Sequence, residues 1–294
     1  MPPLQPLFGP ITSLPQSQLD KKISRRALLI NNFQPSSLFL LAASLQGFLT
    51  WLFPTALTFL PAIAVLAYRC LDVLLQIYGF KTNPAMADVI IKKVSAQLPD
   101  ENGDFGDKPS SDNIVVVLLG AKSNHPLGIL YSGFAELGSY QDGMTQDLET
   151  NREEYGFLTS TSYISNNDNT LNAASAVMTV YYFRTKAGLD KFVQSPAHRA
   201  GWDWWNKTVK QHPDLSIMHE LYEIKAGSWE NVYINYKPTG LATAIFPVGG
   251  EKREEAGEKK WVGSIVDASK ANMKSSRARL GRGPGVGQGK GDGY

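Results

Sequence analysis

Cysteine is almost missing from this sequence: Cys70 is the only one among 294 residues. A single cysteine excludes an intrachain disulfide and a cysteine metal cluster, and it mildly favours a reducing, cytosolic compartment. Histidine is also scarce, with four residues, and no His/carboxylate group has metal-ligand spacing. We therefore expect no metal ion held by a cluster of side chains.

Several catalytic motifs are absent as well. The chain has no Gly-rich phosphate loop, no HExxH sequence and no GxSxG sequence. The glycines after residue 281 follow no predicted strand, so they indicate low complexity and not a nucleotide site. The net charge of +2 says little about partners, and we expect no nucleic acid among them.

Charge is missing altogether from residues 27–68, which contain no Asp, Glu, Lys or Arg. A helix of a soluble domain needs a solvated face, whereas one crossing of a bilayer needs about 20 apolar residues. The composition predicts an N-terminal hydrophobic membrane-anchoring region, residues 1–85, with helices at about 37–53 and 55–78. Pro54 would end the first helix and begin the second.

The apolar region allows more than one placement. A tight helical hairpin returns both ends to the cytosol, and basic residues on both sides, such as Arg26 and Arg69, agree with the positive-inside rule. A single kinked span would place the C-terminal domain in a lumen, and a buried helical pair would make the protein soluble. We prefer the hairpin, in a membrane of the endoplasmic reticulum with the C-terminal folded domain in the cytosol. In that placement the sequon at Asn206 matches by chance.

The C-terminal residues, 246–294, are predicted to be a disordered, charged and glycine-rich tail. Acids and bases alternate in its first part, and half of residues 281–294 are glycine. Such a segment cannot bury enough apolar surface to order itself. Its arginines, Arg277, Arg279 and Arg282, could meet anionic lipid or RNA, but a solvated tail is the preferred interpretation.

The remaining residues, about 100–245, are long enough for one folded domain with its own core. Hydrophobic periodicity and turn residues predict its elements. Strands are predicted over residues 114–120, 155–164, 176–183, 215–224 and 228–236, and helices over residues 127–149, 185–194 and 196–211. The last two strands should form a hairpin across 225–227. This order predicts an antiparallel, ferredoxin-like α+β domain with helices on one face, and a homodimer in which a second copy covers the other face.

The third predicted helix is the segment richest in aromatic residues. At steps of four and three, His198, Trp202 and Trp205 share one stripe with Val209 and His212. The two tryptophans either fill the core, with each indole N–H bound to a carbonyl, or form the aromatic wall of an apolar ligand pocket.

The strand over 215–224 places His219 on one face with Leu215, Ile217 and Leu221. A histidine among aliphatic side chains must have a hydrogen-bond partner or a chemical role. His219 is therefore a satisfied core histidine, a general base or a haem axial ligand. Desolvation at this position would favour the neutral imidazole.

The strand over 228–236 has an unusually polar and aromatic face, formed by Trp229, Asn231, Tyr233 and Asn235. These side chains either line a pocket with several hydrogen-bonding groups or face water.

The pattern SPAHR…W…HP…MHE lies within residues 182–241, and this segment resembles a fungal and bacterial family described as monooxygenase-like. The resemblance extends upstream to about residue 114. It implies membership of the dimeric α/β-barrel superfamily, which includes antibiotic-biosynthesis monooxygenases and aldoxime dehydratases.

The resemblance further implies a monooxygenase of secondary metabolism acting on an apolar, polyketide- or terpenoid-type substrate. Some enzymes of this type need no cofactor, because the carbanion of the substrate itself reacts with O₂. A haem-dependent dehydratase- or peroxidase-like enzyme and a non-catalytic, membrane-anchored ligand-binding protein are the alternatives. The implied catalytic residues are His219 and His198, and the implied substrate-binding residues are Trp202, Trp205, Asn231 and Tyr233. We expect His219 to matter more than His198, because His219 should be the more desolvated.

Overall fold

The computed structural model describes residues 3–12, 25–53, 55–165, 176–248, 260–270 and 273–282. Its helices are α1 Arg25–Asn31, α2 Pro35–Leu52, α3 Leu60–Ile77, α4 Phe134–Thr150, α5 Lys186–Val193, α6 Pro196–Thr208 and α7 Ser276–Arg279. Its strands are β1 Ile90–Ala96, β2 Ile114–Ser123, β3 Phe157–Ser165, β4 Ala176–Phe183, β5 Leu215–Ile224, β6 Tyr233–Tyr236, β7 Ile245–Val248, β8 Lys260–Gly263 and β9 Ile265–Asp267. The helix break predicted at Pro54 and the ends of the predicted tail, 249–259 and 283–294, lie outside the described residues.

Four strands form the central sheet in the order β3-β4-β2-β5, and every neighbouring pair is antiparallel. Helix α4 connects β2 to β3, and helices α5 and α6 connect β4 to β5. This order defines a ferredoxin-like α+β fold, which confirms the antiparallel fold class predicted from the sequence. The strands predicted over 176–183 and 215–224 have the observed bounds.

Alternate residues of the central sheet point to its two faces. On one face, Val115 of β2 and Phe183 of β4 pack against Leu148 of α4 and against Leu189 and Phe192 of α5. This apolar cluster holds the helices on one side of the sheet, as predicted, because burial of apolar surface is favourable.

The opposite face of the central sheet is partly covered by the same chain. Val116, Tyr182 and Ile224 pack there against a second core, which contains Val94 and Val266. This core belongs to a three-stranded sheet, ordered β6-β1-β9, and to the β7-β8 pair. The expectation that only a second copy covers this face is therefore wrong for this end of the sheet.

The predicted hairpin between β5 and β6 is also wrong. β6 pairs with β1, with Tyr233 opposite Val94 and Tyr236 opposite Ile90, whereas β5 pairs with β2. The physical reason is that β1 has a free edge of backbone N–H and C=O groups, which β6 satisfies. The domain predicted to begin at about residue 100 does not include β1, so the prediction does not consider β1 as a partner for β6.

Residues 3–12 belong to the folded domain, although the sequence predicts a membrane-anchoring region over 1–85. The backbone N–H of Leu7 donates to the carbonyl of Ile265 at 2.9 Å, and Leu4 is buried in the second core. The folded domain therefore contains chain from both sides of the apolar helices.

Much of the predicted disordered tail is ordered, because β8, β9 and α7 all lie within it. β9 adds to the remaining edge of β1, and Met273 is buried in the second core. Arg279 is only 2% exposed, and its Nε donates to Oε2 of Glu230 at 2.6 Å. The charge content of the segment does not reveal this arrangement. A few buried apolar residues are enough to order the segment when the edge of an existing sheet supplies backbone hydrogen-bond partners.

Two helical segments are long and apolar enough to cross a membrane, Pro35–Leu52 and Ala56–Ile77. Their bounds agree with the helices predicted at about 37–53 and 55–78. Neither segment is buried within the described part of the chain, which differs from the core helix of a soluble protein.

Arg279→Ala should lower the free energy of unfolding by about 2–3 kcal/mol, because the carboxylate of Glu230 would lose its partner. Arg277→Ala is the matched control, since Arg277 lies on the same short helix but is exposed, and it should change stability by less than about 0.5 kcal/mol. Denaturant unfolding of both variants measures the difference. Equal stability of the two variants would contradict an ordered role for α7.

Candidate active site

The helix side of the central sheet carries the candidate active site. Thr179 on β4 and His219 on β5 both lie opposite Leu119 of β2, so these three residues form one row across the sheet. In the next row, Tyr181 lies opposite Val117. Because Leu119 and Val117 pack into the helix-side core, the polar residues of both rows share that face.

A buried polar network surrounds the hydroxyl of Tyr181, which is only 4% exposed. Nε2 of Gln141 donates to this hydroxyl, and Thr145 and Thr179 also hydrogen-bond to it. The hydroxyls of Thr179 and Ser162 are 2.8 Å apart. Burial raises the pKa of Tyr181, so the phenol stays protonated at neutral pH. The helix-side core therefore contains a protonated phenol with fixed neighbours.

His198 lies in the first turn of α6, whose start is marked in the sequence by Ser195 and by a proline at the first helical position. The hydroxyl of Ser195 accepts the backbone N–H of His198 at 3.2 Å, a standard N-cap. The imidazole is half-buried, and its ring centroid is 5.4 Å from that of Phe192. Burial is the main cause that lowers the pKa of His198; a hydrogen bond to the backbone of Val193 opposes this, and the charge of nearby His219 reinforces it. The neutral imidazole is favoured.

His219 is exposed, which contradicts the expectation that aliphatic neighbours desolvate it. Its strand, β5, is one of the two edge strands of the central sheet, and the side chains from Met218 to Glu223 are exposed on both faces. Alternation along a strand predicts the face of a residue but not whether the strand lies at the edge.

The two predicted aromatic residues of α6 occupy different surroundings. Trp202 is 52% exposed, whereas Trp205 is half-buried beside Trp204. Trp204, which the periodicity places beside the stripe, makes the contacts to other elements: its ring centroid lies 5.3 Å from Tyr140 of α4 and 6.3 Å from His212. The face of α6 that packs against other elements is therefore centred closer to Trp204 than the spacing predicts.

Asn231 and Tyr233 lie apart from the histidines, on the other side of the central sheet. Oδ1 of Asn231 accepts the backbone N–H of Ala96 at 2.6 Å, and its Nδ2 donates to the carbonyl of Ala96 at 3.0 Å. Tyr233 packs beside Tyr182 on the second core, where burial raises its pKa. Within the described residues, Asn231 and Tyr233 therefore lie on the opposite side of the central sheet from the helix that carries His198, Trp202 and Trp205.

Sequence analysis missed a group of aromatic and histidine rings at the α4–α6 end of the domain. His125 and Tyr131 stack with their centroids 4.3 Å apart, and the edge of Tyr131 meets His212 at 6.0 Å. Gly133 has a positive φ of 87°, and a Cβ at this position would lie 3.0 Å from the His212 ring. Only glycine allows this close approach.

The missed residues left weak signals in the sequence. His125 and His212 each precede a proline, and Thr179 and Tyr181 are polar residues on the helix-facing side of an apolar strand. The hydrogen-bond partner of Tyr181 is Gln141, which lies on a separate helix, so no short sequence motif contains both residues.

A ferredoxin-like domain that holds a neutral histidine and a protonated phenol on the helix side of its sheet has the parts of a small-molecule enzyme. Residues 114–241 match the family model described as monooxygenase af470-like. Monooxygenase af470 of Aspergillus fumigatus is 30% identical over 279 residues, which cover 95% of this chain and 98% of that protein. The chain belongs to the monooxygenase af470-like family, so the predicted resemblance is confirmed, and the protein is an enzyme of the monooxygenase class.

Several solved structures are similar to part of this chain. SnoaB, a cofactor-independent oxygenase from Streptomyces nogalater, is 11% identical, with a TM-score of 0.26 over 38% of this chain and 91% of that one. A dimeric ferredoxin-like protein from an uncultured marine organism is 8% identical, with a TM-score of 0.26 over 38% and 96%. Scores this low establish no common function or assembly.

The lowered pKa of His198 makes stability depend on pH in a defined direction. The unfolded chain binds a proton more readily at this position, so the contribution is fully present above the unfolded pKa of about 6.5 and is lost as the pH falls below it. His198→Gln should therefore show a smaller loss of unfolding free energy than the wild type between about pH 7 and pH 5.

Asn206→Gln is the control for this measurement, because Asn206 is exposed on the same helix and carries no titratable group, so its pH dependence should follow the wild type. Denaturant unfolding across the pH series compares the three proteins. Superimposable curves for His198→Gln and the wild type would contradict the burial of a neutral imidazole.

Proposed function

We propose that this enzyme is a membrane-attached monooxygenase that oxidises an apolar, polyketide- or terpenoid-type intermediate of secondary metabolism with O₂ and without a metal or flavin. The observation that carries the proposal is that Phe192 of the helix-side core contacts the half-buried His198, and that the same core contains the buried Tyr181. Family membership supplies the reaction class.

His198 is proposed as the general base. One ring nitrogen hydrogen-bonds to the backbone of Val193, which leaves the other nitrogen to accept a proton from an acidified C–H group of the substrate. The resulting carbanion combines with O₂ to form a C–O bond, and the peroxide takes up the proton. Loss of water from this hydroperoxide leaves a carbonyl, so a CH₂ group and O₂ yield C=O and H₂O with no external reductant.

Tyr181 is proposed to stabilise the negative charge that develops on oxygen. Its pKa is raised by burial, so the hydroxyl remains a donor at the pH at which His198 is neutral. Gln141 donates to the phenolic oxygen, which polarises the O–H bond. Donors fixed in advance stabilise such charge more effectively than water, because they need no reorganisation.

A homodimer is proposed on different grounds from those of the sequence. The edge strand β5 exposes Met218, Leu221 and Tyr222, each more than 40% exposed, and an unprotected edge of this kind favours pairing with another chain. A second copy on β5 would also remove His219 from water. The second catalytic position, His219, is therefore proposed only for the dimer.

No histidine contact in the described residues favours the haem alternative. Nδ1 of His125 accepts the backbone N–H of Leu127 at 3.1 Å, and His212 lies between the rings of Tyr131 and Trp204. Purified enzyme with a Soret band would establish haem, and a fully active enzyme without one would support direct reaction of the substrate with O₂.

Attachment to the membrane is proposed through a hairpin of α2 and α3. Residues 3–12, which precede the apolar helices, pair with β8 and β9, and β1, which follows them, lies in the same sheet as β9. Because one folded domain contains both flanks, a membrane entered by α2 and α3 would have both flanks on the same side. This supports the hairpin over the single span. The cytosolic face of the endoplasmic reticulum is proposed from the basic flanks and the single cysteine.

The catalytic roles are tested by oxygen uptake with hydrophobic 1,3-diketone and hydroquinone probes. His198→Gln should lower kcat by about 10²–10⁴-fold, the usual contribution of a general base, while the protein stays folded. Tyr181→Phe should lower kcat by about 10²-fold through loss of an oxyanion donor.

Tyr155→Phe is the matched control for the phenol, because Tyr155 is buried in the same core but its hydroxyl lies 3.3 Å from Asp147 and outside the network. It should retain kcat. If His198→Gln turns over normally while His219→Gln does not, the base is His219 and the assignment to His198 is wrong.

The hairpin is tested by extraction and by glycosylation. Full-length protein should stay with membranes in alkaline carbonate and dissolve in detergent, because apolar helices within a bilayer resist removal by salt or base. Asn206, exposed on α6, should remain unmodified if the domain is cytosolic. A glycosidase-sensitive mass that disappears in Asn206→Gln would place the domain in a lumen.

A further inference from the structure

Asn32 joins the end of α1 to the loop between β2 and α4. Its side chain is almost fully buried, at 2% exposed. Oδ1 accepts the backbone N–H of Ile129 at 2.8 Å, and Nδ2 donates to the carbonyl of Leu127 at 3.1 Å. The backbone N–H of Asn32 also closes α1 by bonding to the carbonyl of Leu28 at 3.0 Å. One buried amide therefore holds two distant parts of the chain together.

Large apolar side chains are exposed on both sides of this junction. They are between 43% and 55% exposed and comprise Leu29, Ile30, Phe33, Leu127 and Leu130, which we call the interfacial patch. The stretches that contain the patch carry no charge, since residues 27–68 and residues 123–135 contain no Asp, Glu, Lys or Arg. A soluble surface seldom leaves such a group open, because exposed apolar clusters mark binding surfaces.

The position of the patch along the chain indicates its partner. Helix α2 begins at Pro35, three residues after Asn32, and three residues span at most about 11 Å. The headgroup layer of a bilayer is of a similar depth, and apolar side chains of interfacial segments enter the headgroup and acyl boundary by about 5–10 Å. If α2 enters the bilayer, the patch lies at its surface.

We propose that the interfacial patch inserts into the lipid surface and that Asn32 fixes its two halves, so that the loop between β2 and α4 seats the catalytic domain on the membrane. This inference rests on the proposed membrane attachment and adds a second contact to it. The partner is the lipid surface itself, because the patch is continuous with the segment that enters the membrane and has no charge to recognise an acidic or basic partner.

The test uses full-length protein in phosphatidylcholine vesicles. Cys70 is the only cysteine, so Cys70→Ser gives a background in which Leu127→Cys can be labelled with an environment-sensitive fluorophore. Leu221→Cys is the matched control, because Leu221 is a similarly exposed leucine on β5. A lipid spin label near the headgroup should quench the fluorophore at residue 127 at least about twofold more than at residue 221.

A second arm tests Asn32. Asn32→Ala in the Leu127→Cys background should reduce the quenching toward that of the control, while the protein still floats with the vesicles. Undiminished quenching in this variant would overturn the role given to Asn32.

The remaining outcomes separate this inference from the proposed attachment. Protein that floats with vesicles but shows no lipid quenching at residue 127 overturns the interfacial patch and leaves the hairpin standing. Shielding of residue 127 from aqueous iodide without lipid quenching also overturns it, in favour of a protein contact. Protein that does not float contradicts the membrane attachment, and the inference fails with it.

Discussion

Strand β1 lies between β6 and β9, and its two edges join parts of the chain that are far apart in sequence. Residues 3–12 then pair with β8 and β9, so the segment before the apolar helices and the segments after them share one core. The consequence is topological: whatever path α2 and α3 take, it must begin and end at the same domain. The hydrogen-bonded edge of one short strand therefore limits how the proposed membrane segment can be placed.

Successive residues of the central strands point to opposite faces of the sheet, so the candidate site residues are divided between the two faces. Tyr181 faces the helices and Tyr182 faces the second core, so adjacent residues of β4 serve different surroundings. His198 and the Tyr181 network share the helix side, whereas Asn231 and Tyr233 hold or cover the second sheet. Asn231, which the sequence offers as a substrate-binding residue, uses its amide oxygen and one N–H group in two hydrogen bonds to the backbone of Ala96.

The sequence predicts well wherever the determining pattern is local. The bounds of β4 and β5, the N-cap at Ser195 and the two apolar helices follow from periodicity, capping and composition. It predicts poorly wherever the partner is distant. β6 pairs with β1 and not with β5, its neighbour in sequence. The side chain of Arg279 binds Glu230, and the hydroxyl of Tyr181 accepts a hydrogen bond from Gln141 on a separate helix. None of these choices has a fixed spacing, so pattern alone does not decide among competing partners.

The case of His219 shows how far burial depends on what lies beyond one chain. Its aliphatic neighbours on the same face are those expected, yet its strand lies at an edge of the sheet, and so water reaches the imidazole. Desolvation, which sets the protonation state of a buried histidine, is a property of the assembled layers and not of the strand. In the proposed dimer, the surface that pairs β5 would also change the chemistry of His219, so association and the second catalytic position would be coupled. His198 needs no such partner, because Phe192 and α6 already shield it within the chain.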